Sequence, residues 1–129
     1  MLSGDVGPSG YLVGYALAEA NLALGQDVVA DSVNPLAVTR NAWRQAAANT
    51  SSPCIEIEVV CSDPVEHRRR VETRKADVAG LQFSSWEAVL KRDYGRWDRP
   101  RLVLDTAGRS VADAYAELQS RIADASCVQ

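Results

Sequence analysis

The predicted fold starts from residues 27–35, which read DVVADSVNP. Val28–Ala30 is a short apolar run with β-branched residues, and this pattern predicts a buried parallel strand. The Asn-Pro pair then breaks the strand and predicts a helix over residues 36–48, with Pro35 in its first turn. Asp31 directly follows the strand, which is where open α/β sheets place functional residues. Two interpretations stay open: Asp31 holds Mg²⁺, directly or through water, or it caps the next helix.

The composition is that of an ordinary globular domain. The chain has 129 residues, a net charge of -3, 47% hydrophobic residues and 24% charged residues. These values predict a single domain over residues 1–129 and show no global signature of nucleic-acid or membrane binding. The longest apolar stretch, residues 11–24, contains Glu19 and Asn21, so we do not expect it to span a membrane. The three cysteines are an odd number, which favours reduced thiols and a cytoplasmic location.

Helical and strand patterns alternate along the chain. Residues 11–24 predict a helix that is apolar on most of its circumference, and hence largely buried, with Gly25 as the residue that ends it. The other predicted strands are Cys54–Cys61 and Arg101–Asp105, and the other predicted helices are Val65–Arg74, Ser85–Tyr94 and Val111–Ala123. The alternation predicts an α/β fold with a parallel sheet.

The predicted helix at residues 65–74 is rich in arginine. Arg70 and Arg74 are four residues apart and share one face, with Arg69 close by. Neighbouring guanidinium groups repel one another unless an anion lies between them, and their forked N–H groups match phosphate oxygens. Because a polar, glycine-containing connection follows, the cluster suits a mobile lid over a polyphosphate. The alternative is a solvated basic face balanced by Glu66 and Glu72.

A third informative stretch is residues 102–110, which read LVLDTAGRS. A strand that ends at Asp105, followed by a Thr/Gly loop and a helix, offers backbone groups and a thin surface for a flat base. The alternative is a plain strand-to-helix connection in which Ser110 is the N-cap. On its own, this stretch supports both.

The sequence contains no P-loop motif. That motif requires Gly, four residues and then Gly-Lys-Ser/Thr. Gly4, Gly7 and Gly10 lie close together, but no lysine follows them at the required position, and the first lysine of the chain is Lys75. No residue here can therefore act as the phosphate-loop lysine.

Taken together, these stretches resemble a known family. Residues 4–123 are similar to the carboxyl-terminal three quarters of small P-loop kinases, and most of all to the AAA-type ATP-binding proteins grouped with zeta toxins, gluconate-kinase-like enzymes and polynucleotide kinase. The matching stretches are VVADSVNP at residues 28–35 with Arg40, VCSDP at residues 60–64 with the arginines up to Arg74, and LVLDT at residues 102–106. The resemblance implies a three-layer P-loop NTPase-like parallel sheet with helices on both faces, missing the first (P-loop) strand.

The resemblance also implies a function, which is ATP-dependent phosphoryl transfer to a hydroxyl of a small molecule, with ATP and Mg²⁺ as cofactors. Asp31 would be the catalytic, Walker-B-like residue beside Mg²⁺. The other implied contacts are those of Arg69, Arg70 and Arg74 with the ATP phosphates, of Thr106, Gly108 and Arg109 with the adenine, and of Asp5, Tyr11, Asn34 and Arg40 with the acceptor. Without the P-loop and its lysine, we expect ATP to bind weakly or not at all.

Two rival functions stay open. The missing Gly-Lys-Ser/Thr also fits a non-catalytic remnant that binds a partner or assembles with itself. A nucleic-acid 5′-hydroxyl kinase is less favoured, because the pI is about 5.1 and no aromatics are interleaved with a basic groove. A sheet without its central strand leaves three outcomes. The strands at residues 28–30 and 55–61 pair directly, another chain fills the gap, or Met1 is an internal methionine of a longer reading frame, which we expect.

Overall fold

A computed structural model describes residues 7–74, 85–92 and 94–128 of the chain. Within these ranges it contains five helices and two strands. In chain order they are α1 (Gly7–Ala23), α2 (Ala37–Asn49), β1 (Ile57–Val60), α3 (Pro64–Thr73), α4 (Trp86–Lys91), β2 (Leu102–Asp105) and α5 (Val111–Val128). A search of the described residues finds no helix with the length and apolarity that a membrane crossing requires. Asp5, predicted on the acceptor side, lies outside the described residues.

The two strands pair in parallel. The register matches Ile57 with Leu102 at one end and Val60 with Asp105 at the other. Helices α3 and α4 lie between the strands in the chain, as expected because a parallel pair needs a long crossover connection. On β2, Leu104 is buried, and α5 packs against this strand. The predicted combination of helices with a parallel sheet is therefore confirmed, but the sheet is small.

Residues 28–30 do not form the predicted strand. Their backbone is irregular, and Val29 is 92% exposed. A β-branched apolar run forms a strand only where a neighbour satisfies its N–H and C=O groups, and in the described part of the chain β1 and β2 pair with each other. The strand prediction is therefore wrong. Asp31 is exposed and does not lie at the end of a strand.

The contacts within the chain define two compact units. The first unit consists of Met1–Cys54 and Asp93–Asp98, and the second consists of Ile55–Arg92 and Arg99–Gln129. Helices α1 and α2 belong to the first unit. The sheet and the remaining three helices belong to the second.

In the first unit, α1 and α2 pack against each other. A Cβ atom at Gly14 would come within 2.9 Å of the Trp43 ring, so this close approach of the helices depends on glycine. The buried apolar side chains here are small and include Ala18 and Ala46. The prediction that α1 is largely buried is wrong, since one face packs on α2 while Leu12 and other apolar residues are exposed.

Several helix ends carry the residues that capping rules favour. Gly25, two residues after the end of α1, has a φ of 81°, the left-handed conformation that glycine adopts most readily. The Asp63 side chain accepts two backbone N–H groups of the first turn of α3, and Pro64 occupies the first helical position. Ser85 and Ser110 each accept the N–H group three residues ahead, at the starts of α4 and α5. These local signals predict the helix starts because they act within a few residues of the chain.

Candidate functional site

Asp105 lies at the carboxyl end of β2 and connects this strand to the residues after β1. Its Oδ1 accepts the N–H groups of Ser62 at 3.1 Å and Ala107 at 3.0 Å. The Ser62 hydroxyl, the backbone N–H groups of Ala107 and Ser62 and the charge of Arg109 lower the pKa of the Asp105 carboxyl, while desolvation opposes them. Asp105 is therefore an ionised carboxylate at the carboxyl end of the strands, where parallel sheets place their binding sites.

Arg70 joins the arginine helix α3 to the loop after β2. Its guanidinium donates to the Thr106 hydroxyl at 2.7 Å, to the Thr106 carbonyl at 2.8 Å and to Glu66 Oε1 at 2.6 Å. The other carboxylate oxygen of Glu66 accepts the N–H group of Gly108 at 2.7 Å. The Thr106 hydroxyl donates in turn to the Val60 carbonyl at 3.0 Å. One hydrogen-bonded network thus holds α3, the end of β1 and the loop after β2 together.

Glu66 occupies donors that an anion could use. A phosphate or carboxylate bound here would need N–H groups from an arginine fork and from the backbone. The Glu66 carboxylate already accepts from both kinds of donor, Arg70 and the Gly108 N–H group. An incoming anion must therefore compete with an internal carboxylate, which weakens its binding at this place.

The other two predicted lid arginines differ from Arg70. Arg69 is mostly exposed, and its Nη2 lies 3.8 Å from Glu66 Oε1, at the outer limit of an ion pair. Arg74 is the C-cap of α3, where its backbone N–H donates to the Arg70 carbonyl at 3.1 Å. Of the three, Arg70 has hydrogen bonds that reach the loop after β2.

Arg109 binds the loop after β2 to α5. Its guanidinium donates to the Asp105 carbonyl and the Asp113 carbonyl, both at 3.3 Å, and forms an ion pair with Glu117. These contacts hold the Thr106–Arg109 loop against the first turns of α5. The predicted adenine-side residues therefore form one loop with Arg70 and Glu66 beside it.

In the first unit, Arg40 is buried, with only 4% of its surface exposed. Its Nε donates to the Asn34 carbonyl at 2.9 Å and its Nη2 to the Pro35 carbonyl at 3.3 Å. Its guanidinium carbon lies 4.8 Å from the Tyr94 ring centre and 4.2 Å from that of Trp97, within range of cation–π attraction. Arg40 therefore holds the residues before α2 next to the segment that carries these two rings.

Asn34 and the predicted acceptor-side residue Tyr11 also lie in the first unit. Asn34 has a φ of 46°, and its Oδ1 accepts the indole N–H of Trp43 at 2.9 Å. Tyr15 packs edge-on against Trp43 with ring centres 4.6 Å apart, and Tyr11 lies 6.1 Å from Tyr15. Asn34 and Arg40 are thus brought together, whereas Tyr11 belongs to an aromatic row on α1.

The prediction that Pro35 lies in the first turn of α2 is wrong. The first residue of α2 is Ala37, and its N-cap is Leu36, so Pro35 precedes the helix. Its carbonyl accepts from Arg40 and from the Gly95 N–H group at 2.6 Å. The proline ring restricts φ at this position, and the carbonyl accepts from two donors, a role that no local capping rule predicts.

Sequence reasoning missed three residues of these networks. Glu66 was assigned only to charge balance, and its spacing of four from Arg70 predicts their ion pair but not its bond to Gly108. Tyr94 and Trp97 were not assigned to Arg40. No local pattern marks them as its partners, because a cation–π contact depends on the packing of segments far apart in the sequence.

The predicted Mg²⁺ site has no cluster of protein ligands among the described residues. They contain no group of three or more His, Cys, Asp or Glu side chains placed to hold a metal ion. Mg²⁺ commonly takes only one or two carboxylates and completes its shell with other oxygens and water, so the exposed Asp31 carboxylate could serve as one ligand of such an ion.

Comparisons of the chain with known protein families, with curated proteins and with solved structures give no match.

Proposed function

We propose that the chain is a nucleotide-binding, kinase-like domain of the P-loop class, whose intact fold is a three-layer α/β sheet with helices on both faces. The observation that supports this is the network of Arg70, Glu66, Thr106 and Gly108. It joins two stretches that sequence reasoning assigned separately to the phosphates and to the base. Both lie at the carboxyl end of parallel strands, where open α/β sheets bind ligands.

In this proposal the loop of Thr106, Gly108 and Arg109 lies beside the adenine, and Arg70 takes the phosphates after exchanging Glu66 for them. Mg²⁺ bound to the phosphates would supply charge neutralisation for phosphoryl transfer. The acceptor is a small-molecule hydroxyl, and the domain works in the cytoplasm. The sequence has no phosphate-loop lysine, so weak nucleotide binding, not turnover, is the property to measure.

The proposal is tested by titrating the chain with Mg·ATP and following backbone amide signals by NMR. We expect saturable binding with a dissociation constant of ~1 mM or weaker. The largest shifts should be at Ala107, Gly108 and Arg109. A micromolar constant, an absence of shifts, or shifts confined to residues of the first unit would each contradict the proposal.

A matched pair of variants sharpens the test. Glu66→Gln removes the internal competitor of the phosphates, so ATP should bind about five-fold more tightly, the equivalent of an ion pair of ~1 kcal/mol. Glu72→Gln changes the same charge on the same helix, next to exposed Arg68, and should leave the affinity unchanged. Equal effects of the two variants would mean that net charge alone, and not the Glu66 network, governs the binding.

A further inference from the structure

One face of α1 is apolar and exposed. We define the outer face of α1 as Leu12, Val13, Ala16, Leu17, Ala20, Ala23 and Leu24, the last of which directly follows the helix. At 100° per residue these positions fall within about 140° of the helix circumference. All seven are exposed. The four large residues, Leu12, Val13, Leu17 and Leu24, are 63%, 66%, 62% and 76% exposed.

The opposite face of α1 is the one that α2 covers. Ala18 is buried there, and Tyr15 packs on Trp43. Glu19 is the single charged residue of α1, and it accepts a hydrogen bond from Asn49 at 3.3 Å. None of the seven residues that define the outer face is charged or polar, although all of them are exposed.

The outer face has the size of a protein interface. Its residues expose on the order of 600 Å² of mostly apolar surface, at the upper end of the largest patches on monomers and near the ~800 Å² that one partner contributes to a standard interface. Leaving this area in water is unfavourable at about 25 cal/mol per Å². Two copies of this face would together bury about 1,200 Å², the lower end of the range for a stable interface.

We propose that the outer face of α1 pairs with the same face of a second copy in an antiparallel, two-fold symmetric dimer. A two-fold axis brings a surface patch against its own copy, and a face of uncharged side chains meets itself without repulsion between like charges. The alanines follow the middle of the face, so the two helices can approach closely while the larger side chains pack on both sides.

The proposed partner is a second copy of this chain, held by apolar contacts. Ion pairs play no part in it, so the dimer should be insensitive to salt, unlike a contact held by charges. It also involves only the first unit, whereas the nucleotide site lies in the second. Failure of the dimer therefore leaves the proposed nucleotide binding untouched, and the reverse is also true.

Sedimentation equilibrium of the full chain tests the proposal, at concentrations from about 1 to about 200 µM. We expect a monomer–dimer equilibrium that stops at the dimer. Leu17→Glu should raise the dimer dissociation constant at least ~100-fold, because a symmetric interface receives each substituted charge twice. Leu90→Glu is the matched control, since Leu90 is 65% exposed on α4, and it should leave the constant unchanged.

Ala20→Trp distinguishes specific pairing from general stickiness. A bulky ring at the point of closest approach should weaken the dimer at least ~10-fold. If association were non-specific, the added apolar surface would strengthen it instead. Far-UV circular dichroism checks that each variant keeps its helices, as expected for exposed positions.

Several outcomes would overturn the proposal. They are a chain that stays monomeric throughout the concentration range, association that grows without a limiting mass, equal weakening by Leu17→Glu and Leu90→Glu, and stronger association of Ala20→Trp. Binding of the chain to vesicles or to an unrelated protein through the outer face, without a dimer, would also overturn it.

Discussion

Arg40 in the first unit and Arg70 in the second are both arginines that bind a loop, but their surroundings differ. Arg40 is 4% exposed and contacts backbone carbonyls and two aromatic rings. The side chain of Arg70 is 37% exposed, and its partners are a carboxylate and a threonine. Arg40 is therefore a desolvated cation, whereas the guanidinium of Arg70 is partly exposed to water.

This difference decides what each arginine can do. A desolvated guanidinium that loses its partners is left with an uncompensated charge, so its surroundings must stay fixed. A half-exposed guanidinium can exchange one anionic partner for another with water filling the gap. Arg40 is therefore a structural residue of the first unit, and Arg70 is the one suited to meeting a ligand.

The largest effect is expected from Arg40→Ala. The variant removes two charge-assisted hydrogen bonds and two cation–π contacts, and should lower the free energy of unfolding of the first unit by about 3 kcal/mol or more. Urea unfolding followed by tryptophan fluorescence in a Trp86→Phe background measures this, because the remaining Trp43 and Trp97 both belong to the first unit. Arg40→Lys keeps the charge but not the planar fork, so it should recover only part of the loss.

The control for Arg40 is Arg44→Ala. Arg44 is exposed and lies one turn further along α2, so the substitution should change the free energy of unfolding by no more than about 0.5 kcal/mol. Similar losses in the two variants would mean that Arg40 is not the anchor that its burial implies.

A smaller effect is expected from Arg70→Ala. Because Arg70 is partly exposed, the loss of its bonds to Glu66 and Thr106 should lower the free energy of unfolding of the second unit by about 1–2 kcal/mol. The change should appear in denaturation followed by circular dichroism. Arg68→Ala, on the same helix and mostly exposed beside Glu72, should change stability by no more than about 0.5 kcal/mol. An Arg70 effect as small as that of Arg68 would show that the network does not stabilise the loop.

The sequence could predict those parts of the fold that depend on neighbouring residues. Asp63 with Pro64 and Gly25 mark helix ends because capping acts within one turn. The runs at residues 102–104 and 28–30 look alike, since both are apolar and both precede an aspartate. In the described part of the chain only the first run has a strand beside it, and pairing is a property of two segments that neither sequence contains alone.

Only the local parts of the candidate site could be predicted from the sequence. The Arg70 helix and the loop at Thr106 could be recognised separately, because each has local chemistry suited to an anion or a base. Their bridge through Glu66 could not, since a residue's partner 42 positions away depends on the register of β1 and β2. The burial of Arg40 between Tyr94 and Trp97 depends in the same way on how distant segments pack.

The smallest effect, and the one that isolates charge from packing, is expected from Asp105→Asn. The amide keeps an oxygen for the N–H groups of Ser62 and Ala107 but loses the negative charge that lowers the pKa of Asp105. In the unfolded chain Asp105 takes up a proton near pH 4, whereas in the folded chain it stays ionised to lower pH. The native chain therefore gains stability from this charge above about pH 4, and loses it as the pH falls through the lowered pKa.

The difference in melting temperature between the native chain and Asp105→Asn should be constant from pH 7 to about pH 5, and should shrink below about pH 4. Thermal melts at a series of pH values measure it. A difference that is independent of pH down to the acid limit, or one that grows as the pH falls, would show that the N–H groups of the loop do not favour the ionised form.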